Sequence, residues 1–246
     1  MVNASPVLVW SFVGLAVLVA AGFIVAVHRA AVATAHPHPR RLTIVTGVAT
    51  AAWLALTAGL AASGVMSFTS RPPTMLVLVP VIFALGIGLA GSNLGRRLAT
   101  GLPLDVLVGS QAFRLPLELT MHRAYIEGLM PVQMSYSGRN FDILTGISAI
   151  VVLGVLVRRP KALWLVRLWN VGGLLLLANI LTVALLSAPT PFRAFHNEPA
   201  NVWITHAPWV WLPAVFVLAA IMGHIVVFRR LLHEAKAQTV TGHGWP

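Results

Sequence analysis

Apolar runs of about 20 residues recur along this chain and limit its fold more than any other feature. A bilayer core about 30 Å thick is crossed by about 20 apolar residues in helical form. Seven such runs are read at residues 6–27, 42–66, 75–95, 104–128, 143–157, 162–187 and 206–228. The fifth is short, and the fourth is the least apolar. Of the 246 residues, 58% are hydrophobic and 9% charged, against roughly 25% charged in a soluble domain. The expected fold class is therefore all-α, a polytopic membrane protein with seven transmembrane helices in a single domain over residues 1–246.

The basic residues test this count independently. With seven crossings, one side collects Arg29, Arg40, Arg41, Arg96, Arg97, Arg158, Arg159, Lys161, Arg229, Arg230 and Lys236, eleven of the seventeen Lys and Arg residues. The other side holds Arg71, Arg139 and Arg193, with Arg123 near a helix end. The positive-inside rule makes the richer side cytoplasmic, so the N-terminus is expected outside and the C-terminus in the cytoplasm. Omitting the weak fourth run would move Arg158, Arg159, Arg229 and Arg230 across the membrane. The first run reads as an inserted helix rather than a cleaved signal, because its flank MVNASP carries no positive charge. The net charge of +11 is spread in short groups between apolar runs, so nucleic acid is not an expected partner. The expected partners are the lipid bilayer and a small molecule, a lipid or another membrane protein. The expected location is a bacterial inner (cytoplasmic) membrane.

The fourth run also carries the most expensive residues. Gln111, Arg114, Glu118, His122 and Tyr125 are spaced three, four, four and three apart, which puts them on one face of a helix. Arg114 falls near mid-membrane in this reading, with Glu118 and His122 one and two turns further out. An ionisable group there costs from about 2.5 to over 10 kcal/mol, so the stripe is expected to face the bundle interior. Arg114 and Glu118, one turn apart, are expected to pair with each other. Arg167 reads as an interfacial side chain that snorkels outward, while Asn170 and Asn179 read as makers of interhelical hydrogen bonds.

Two outer segments, 129–142 and 188–205, mix Pro, Asn, aromatic and charged residues and are expected to cover the outer mouth of the bundle. Arg139, Asn140 and Asp142 in the first of them join the stripe as candidate binding residues. With no cysteine, thiolate metal sites and disulfides are excluded. His122, His196, Glu198 and His206 are the candidate metal ligands, with Met130 and Met134 nearby, since His with carboxylate suits zinc or iron and His with Met suits copper. A haem alternative would pair His206 with His122 and His28 with His224, while His28 and His224 also read as interfacial residues at helix ends. The remaining histidines, His36, His38, His233 and His243, read as surface residues. Trp10, Trp203, Trp209, Trp211 and Trp245 are expected at the membrane interfaces, and Trp53, Trp164 and Trp169 within the bundle. No complete cofactor motif is present.

The seven-span count with an outward N-terminus resembles the rhodopsins in topology, but their retinal needs a lysine in the seventh span and the two lysines here are Lys161 and Lys236. Pro116–Leu117–Glu118 resembles the PxE-type segment of membrane-embedded lycopene cyclases, with Leu119 where that family has a second acid. That resemblance implies an intramembrane carboxyl group that protonates an isoprenoid. Three function classes follow. The first is a membrane protein with a polar intramembrane pocket opening outward, which binds or conducts a small molecule or acts as an accessory subunit of a membrane complex. The second is an enzyme on a lipid or isoprenoid with Glu118 as general acid, tuned by His122 or Tyr125. The third is a haem or metal redox protein.

Overall fold

The computed structural model describes residues 4–241. Met1 to Asn3 of the N-terminal flank, His243 and Trp245 lie outside them. No strand occurs among the described residues. Nine α-helices follow in order: α1 Pro6–Ala33, α2 Pro39–Ala62, α3 Thr74–Gly91, α4 Asn93–Gly101, α5 Leu104–Gly109, α6 Arg114–Ile126, α7 Ile143–Arg158, α8 Leu163–Ser187 and α9 Leu218–Thr241. Five are long and apolar enough to cross a membrane: Pro6–Ala33, Pro39–Ala62, Thr74–Gly91, Leu163–Leu186 and Leu212–Lys236. α7 is a shorter apolar helix. A multi-pass membrane protein has this pattern.

Local sequence sets the helix ends. Ser5 caps α1, its Oγ accepting from the Leu8 N–H at 3.3 Å, with Pro6 in the first turn. The same Ser5 donates its N–H and its hydroxyl to the Glu127 carboxylate at 2.7 and 2.6 Å, and Arg123 Nε holds that carboxylate at 2.6 Å. The start of α1 is thereby tied to the end of α6. The third apolar run breaks at Ser92, whose side chain caps α4 by accepting from Leu94 N. The seventh run begins later than expected, with a π-helical segment at Leu212–Val217 leading into α9. Such segments are rare and favour functional sites. Its Ala214 carbonyl is satisfied from α2 by Trp53 Nε1 at 2.8 Å.

Residues 104–126 form an unbroken helical stretch, α5 and α6 joined by one 3₁₀ turn at Ser110–Phe113. The least apolar run, read at 104–128, is thus helical as far as Ile126. α7 packs along both of its halves, and α9 lies centrally, contacting α3, α4, α5 and α8.

Basic residues from separate sequence groups meet at one end of the bundle. Arg97 donates to Thr34 Oγ1 at 2.9 Å, Arg229 to the Ala90 and Ser92 carbonyls, and Arg230 to the Ala99, Thr100 and Leu102 carbonyls. Most of these acceptors are the orphan carbonyls at the ends of α3 and α4, which cations satisfy well. Part of the charge pattern therefore serves helix capping.

The opposite end is closed by aromatic packing. Phe12 of α1 meets Trp203, Trp209 and Phe216 edge-on, with ring centroids 6.4, 4.9 and 5.3 Å away. Trp203 and Trp209, expected at an interface, are instead core residues, because both rings pack onto Phe12 of α1. Trp164, expected inside, is exposed, as is Trp10.

Candidate functional site

The polar stripe folds inward. Gln111, Arg114 and Glu118 are each no more than 2% exposed. His122 and Tyr125, further along α6, are half-buried. The expected pairing within the stripe is not formed. Arg114 Nη1 instead reaches Asp142 Oδ1, at the start of α7, at 2.5 Å. An Arg followed by a Glu four residues later is the weaker order for a helical ion pair, whereas a carboxylate at a helix start is favoured by the helix dipole.

Glu118 takes a different partner. Asn140 Nδ2 donates to Glu118 Oε2 at 2.6 Å and to the Met134 carbonyl at 3.0 Å. Its Oδ1 accepts from the Asp142 N–H at 3.0 Å, and Thr145 Oγ1 donates to Asp142 Oδ1 at 3.0 Å. One connected frame therefore runs Glu118–Asn140–Asp142–Arg114, every member at or below 5% exposure. Asn140 and Asp142, candidates from the first outer segment, belong to it. Arg139 does not. It is exposed, lies over the Phe195 ring at 5.0 Å, and lends its carbonyl to Asn179 Nδ2 at 2.7 Å.

The frame borders a cavity of about 300 Å³, in the size range of small-molecule pockets. The walls come from α3, α6, α8, the π-helical segment and the start of α9, and are mostly apolar. The polar residues of the lining are the frame members Arg114, Glu118 and Asp142, together with Thr182 and Asn201. Arg114 Nε and Nη2 are buried without a protein partner, as is Asn201 Oδ1. Asn201 is held by its other amide atom, which donates to the Ala184 carbonyl at 2.9 Å.

A second buried group sits beside this one. His224 is fully buried, its Nδ1 donating to Asn170 Oδ1 at 2.7 Å while Asn170 Nδ2 donates to the His224 carbonyl at 3.1 Å. Asn170 thus links α8 to α9, as expected of it. A Cβ built on Gly173 would lie 2.6 Å from His224 Cε1 and 3.1 Å from Nε2, so that edge of the ring packs directly on α8. An axial haem ligand needs open space at that edge. His28, the other half of that pair, is exposed and hydrogen-bonds Thr43 at 3.0 Å. Arg167 is exposed, consistent with its interfacial reading.

The metal candidates stay in separate surroundings. His122 Nδ1 bonds Ser135 Oγ at 2.7 Å and stacks on Tyr136 at 4.2 Å. His206 bonds Thr205 Oγ1 at 3.0 Å. His196 is exposed, and Glu198 is paired with Arg193 at 2.8 Å. The Arg193 hydrogen bond, then the Ala200 N–H, hold the Glu198 carboxyl below its ordinary range. Among the described residues no group of three His, Asp or Glu side chains is placed to hold a metal ion. Met130 and Met134 are core residues.

Several polar residues that hold the outer segments were not singled out in the sequence. Gln133 donates to Ser187 Oγ at 2.9 Å and accepts from Asn197 Nδ2 at 3.1 Å, joining the two outer segments to the end of α8.

A family model described as a domain of unknown function (DUF8737) matches residues 71–232. That span is well over half of the chain and contains the whole polar frame, His224, and every cavity wall residue except Phe68. No curated protein matches the chain, and no solved structure does.

Proposed function

The chain belongs to the DUF8737 family, and from that premise we propose that it is a seven-span membrane protein whose bundle binds a small molecule in an intramembrane pocket. The observation that carries the reading is Arg114, a fully buried guanidinium at the wall of an apolar cavity, with two of its three nitrogens free of protein partners. A buried donor of this kind is costly unless something accepts from it. Intramembrane charges are functional candidates for that reason. The pocket lies toward the outer half of the bundle, beneath the segments 129–142 and 188–205. A place in the inner membrane of a bacterium, with the N-terminus outside, completes the proposal.

A pocket-filling variant tests it. Ala184 lines the cavity, and Ala184→Trp places a large ring there. Protein purified in mild detergent is expected to carry a non-protein molecule, detectable by mass spectrometry, that Ala184→Trp loses. Equal content in both proteins would overturn the pocket.

The topology has its own test. Adding residues 104–126 and α7 to the five long helices gives seven crossings. Because the chain has no cysteine, single cysteines can be labelled without background. Arg40→Cys, Thr100→Cys and Lys161→Cys are expected to react only from the cytoplasmic side, and Thr69→Cys, Ser137→Cys and Asn197→Cys only from outside. Labelling of Lys161→Cys from outside would remove the fourth crossing.

The second reading, an enzyme on a lipid or isoprenoid, is favoured by one observation: Glu118 sits at the wall of a cavity lined mostly by apolar side chains. A general acid must lie within hydrogen-bond reach of the atom it protonates, and a carboxyl beside an apolar chamber can meet a hydrocarbon substrate there. Conversion of an added isoprenoid by the purified protein, abolished in Glu118→Gln, would establish it.

A further inference from the structure

We infer that the molecule held in this pocket is bilayer-soluble, with an elongated apolar body and a neutral, carbonyl-type head that accepts from Arg114, and that it enters sideways from the lipid between α3 and α8. The inference rests on the pocket reading and names its ligand class.

The walls decide the body. Phe83, Phe113, Leu117, Ile180, Phe216 and Val217 are among the residues lining the cavity. A hydrated solute would lose its water to such walls without replacement hydrogen bonds, at a large cost. On α8 the lining runs from Leu177 to Leu185, about 12 Å at 1.5 Å per residue. The space is therefore longer than a compact polar solute needs.

The polar frame decides the head. Asp142 Oδ1 already accepts from Arg114 and Thr145, and Glu118 Oε2 from Asn140. What remains unused at Arg114 is donor capacity, at Nε and Nη2. The matching group on a ligand is an acceptor. Its charge is limited as well, because the frame holds one guanidinium against two carboxyl groups. An anionic head would add an uncompensated negative charge beside the Asp142 carboxylate, which already balances Arg114, in a site of low dielectric where like charges repel strongly. A neutral carbonyl accepts from Arg114 without that repulsion.

The route follows from which wall is exposed. α3 and α8 both pack against α9, and the cavity is lined from both of them. Thr182 and Leu185 line the cavity and are also exposed on the bundle surface. The cavity thus reaches the side of the bundle at these α8 residues.

Photolabelling in phosphatidylcholine nanodiscs tests the proposal with three probes of equal length carrying a diazirine in the tail: a methyl ketone, a headless alkane and a carboxylate. A hydrogen bond to a charged donor corresponds to about tenfold in occupancy or more. The ketone is therefore expected to label wall residues such as Val79, Ile180 and Phe216 about tenfold more than either other probe. Thr182→Trp, a change at the exposed mouth that leaves the polar frame intact, is expected to lower that labelling about as far. Labelling of lipid-facing Ile44 and Val48 on α2 should not change. Equal labelling by the carboxylate or the alkane would overturn the head assignment, and undiminished labelling in Thr182→Trp would overturn the lateral route. A water-soluble molecule lost from Ala184→Trp would keep the pocket and sink this inference. No wall labelling together with equal content in Ala184→Trp would sink both.

Discussion

Replacing Arg114 with methionine is expected to cost the fold about 3–5 kcal/mol, because it leaves Asp142 as a buried carboxylate without its counter-charge. Asp142 is 5% exposed and would keep only Thr145 as a side-chain donor. The double variant Arg114→Met/Asp142→Asn removes both charges while keeping an acceptor for Thr145. Most of the lost stability is expected to return in it, since a buried ion pair contributes little net stability over a neutral replacement. Thermal unfolding in detergent measures both. The double variant also separates the two roles open to Arg114. If the guanidinium only fixes packing, the refolded double variant keeps the co-purified molecule of the native protein. If Arg114 is the pocket's donor, the double variant folds and the molecule is gone.

The stripe was legible because its signal is local. Spacings of three and four put Gln111, Arg114 and Glu118 on one helix face, and the cost of burying them in an apolar run points that face inward. The partners were not legible, because they depend on how α6 meets α7. Asn140 and Asp142 stood out as polar residues in an outer segment, yet their distances to Glu118 and Arg114 come from a helix crossing that no sequence window contains. Arg114 and Glu118 were expected to pair because they share a helix. The cross-helix carboxylate won.

His224 failed for a related reason. Five and six residues before Arg229 and Arg230, it reads as interfacial, but α9 is central to the bundle and the helix runs on well past those arginines. Burial there follows from neighbours on α8, where Asn170 supplies the hydrogen bond and Gly173 the room. Trp203 was misread in the same way, since a tryptophan in an outer loop is interfacial only if the loop stays outside the core. Helix existence survived all of this. The runs at 143–157 and 162–187 match α7 and α8 closely, because length and composition fix an apolar helix before packing matters. The break at Ser92 and the π-helical turn at Leu212–Val217 depend on side-chain capping and on contacts from α2, which hydropathy does not register.

The crossing that positions Asp142 depends on one missing side chain, and Gly146→Ala is expected to show it. A Cβ at Gly146 would lie 2.4 Å from the Leu115 backbone nitrogen and 3.0 Å from both Arg114 C and Leu115 Cα. These are backbone atoms of α6, so neither helix can yield by turning a side chain. α7 must shift outward, and overpacking of this kind costs about 1–3 kcal/mol. Asp142 lies one turn before Gly146 and would move with α7, stretching its bond to Arg114. The loss should therefore appear in unfolding temperature and in pocket occupancy together. Gly154 supplies the control, being on the same helix with nothing within 4 Å of a Cβ. Gly154→Ala gains helix propensity of about 1 kcal/mol and is expected to hold or raise stability while leaving the pocket unchanged. Opposite signs for one substitution on one helix would place the constraint at the α6–α7 contact rather than in α7 itself. Equal responses at the two glycines would mean that the crossing, and the frame it sets, tolerate a wider separation than the backbone contacts allow.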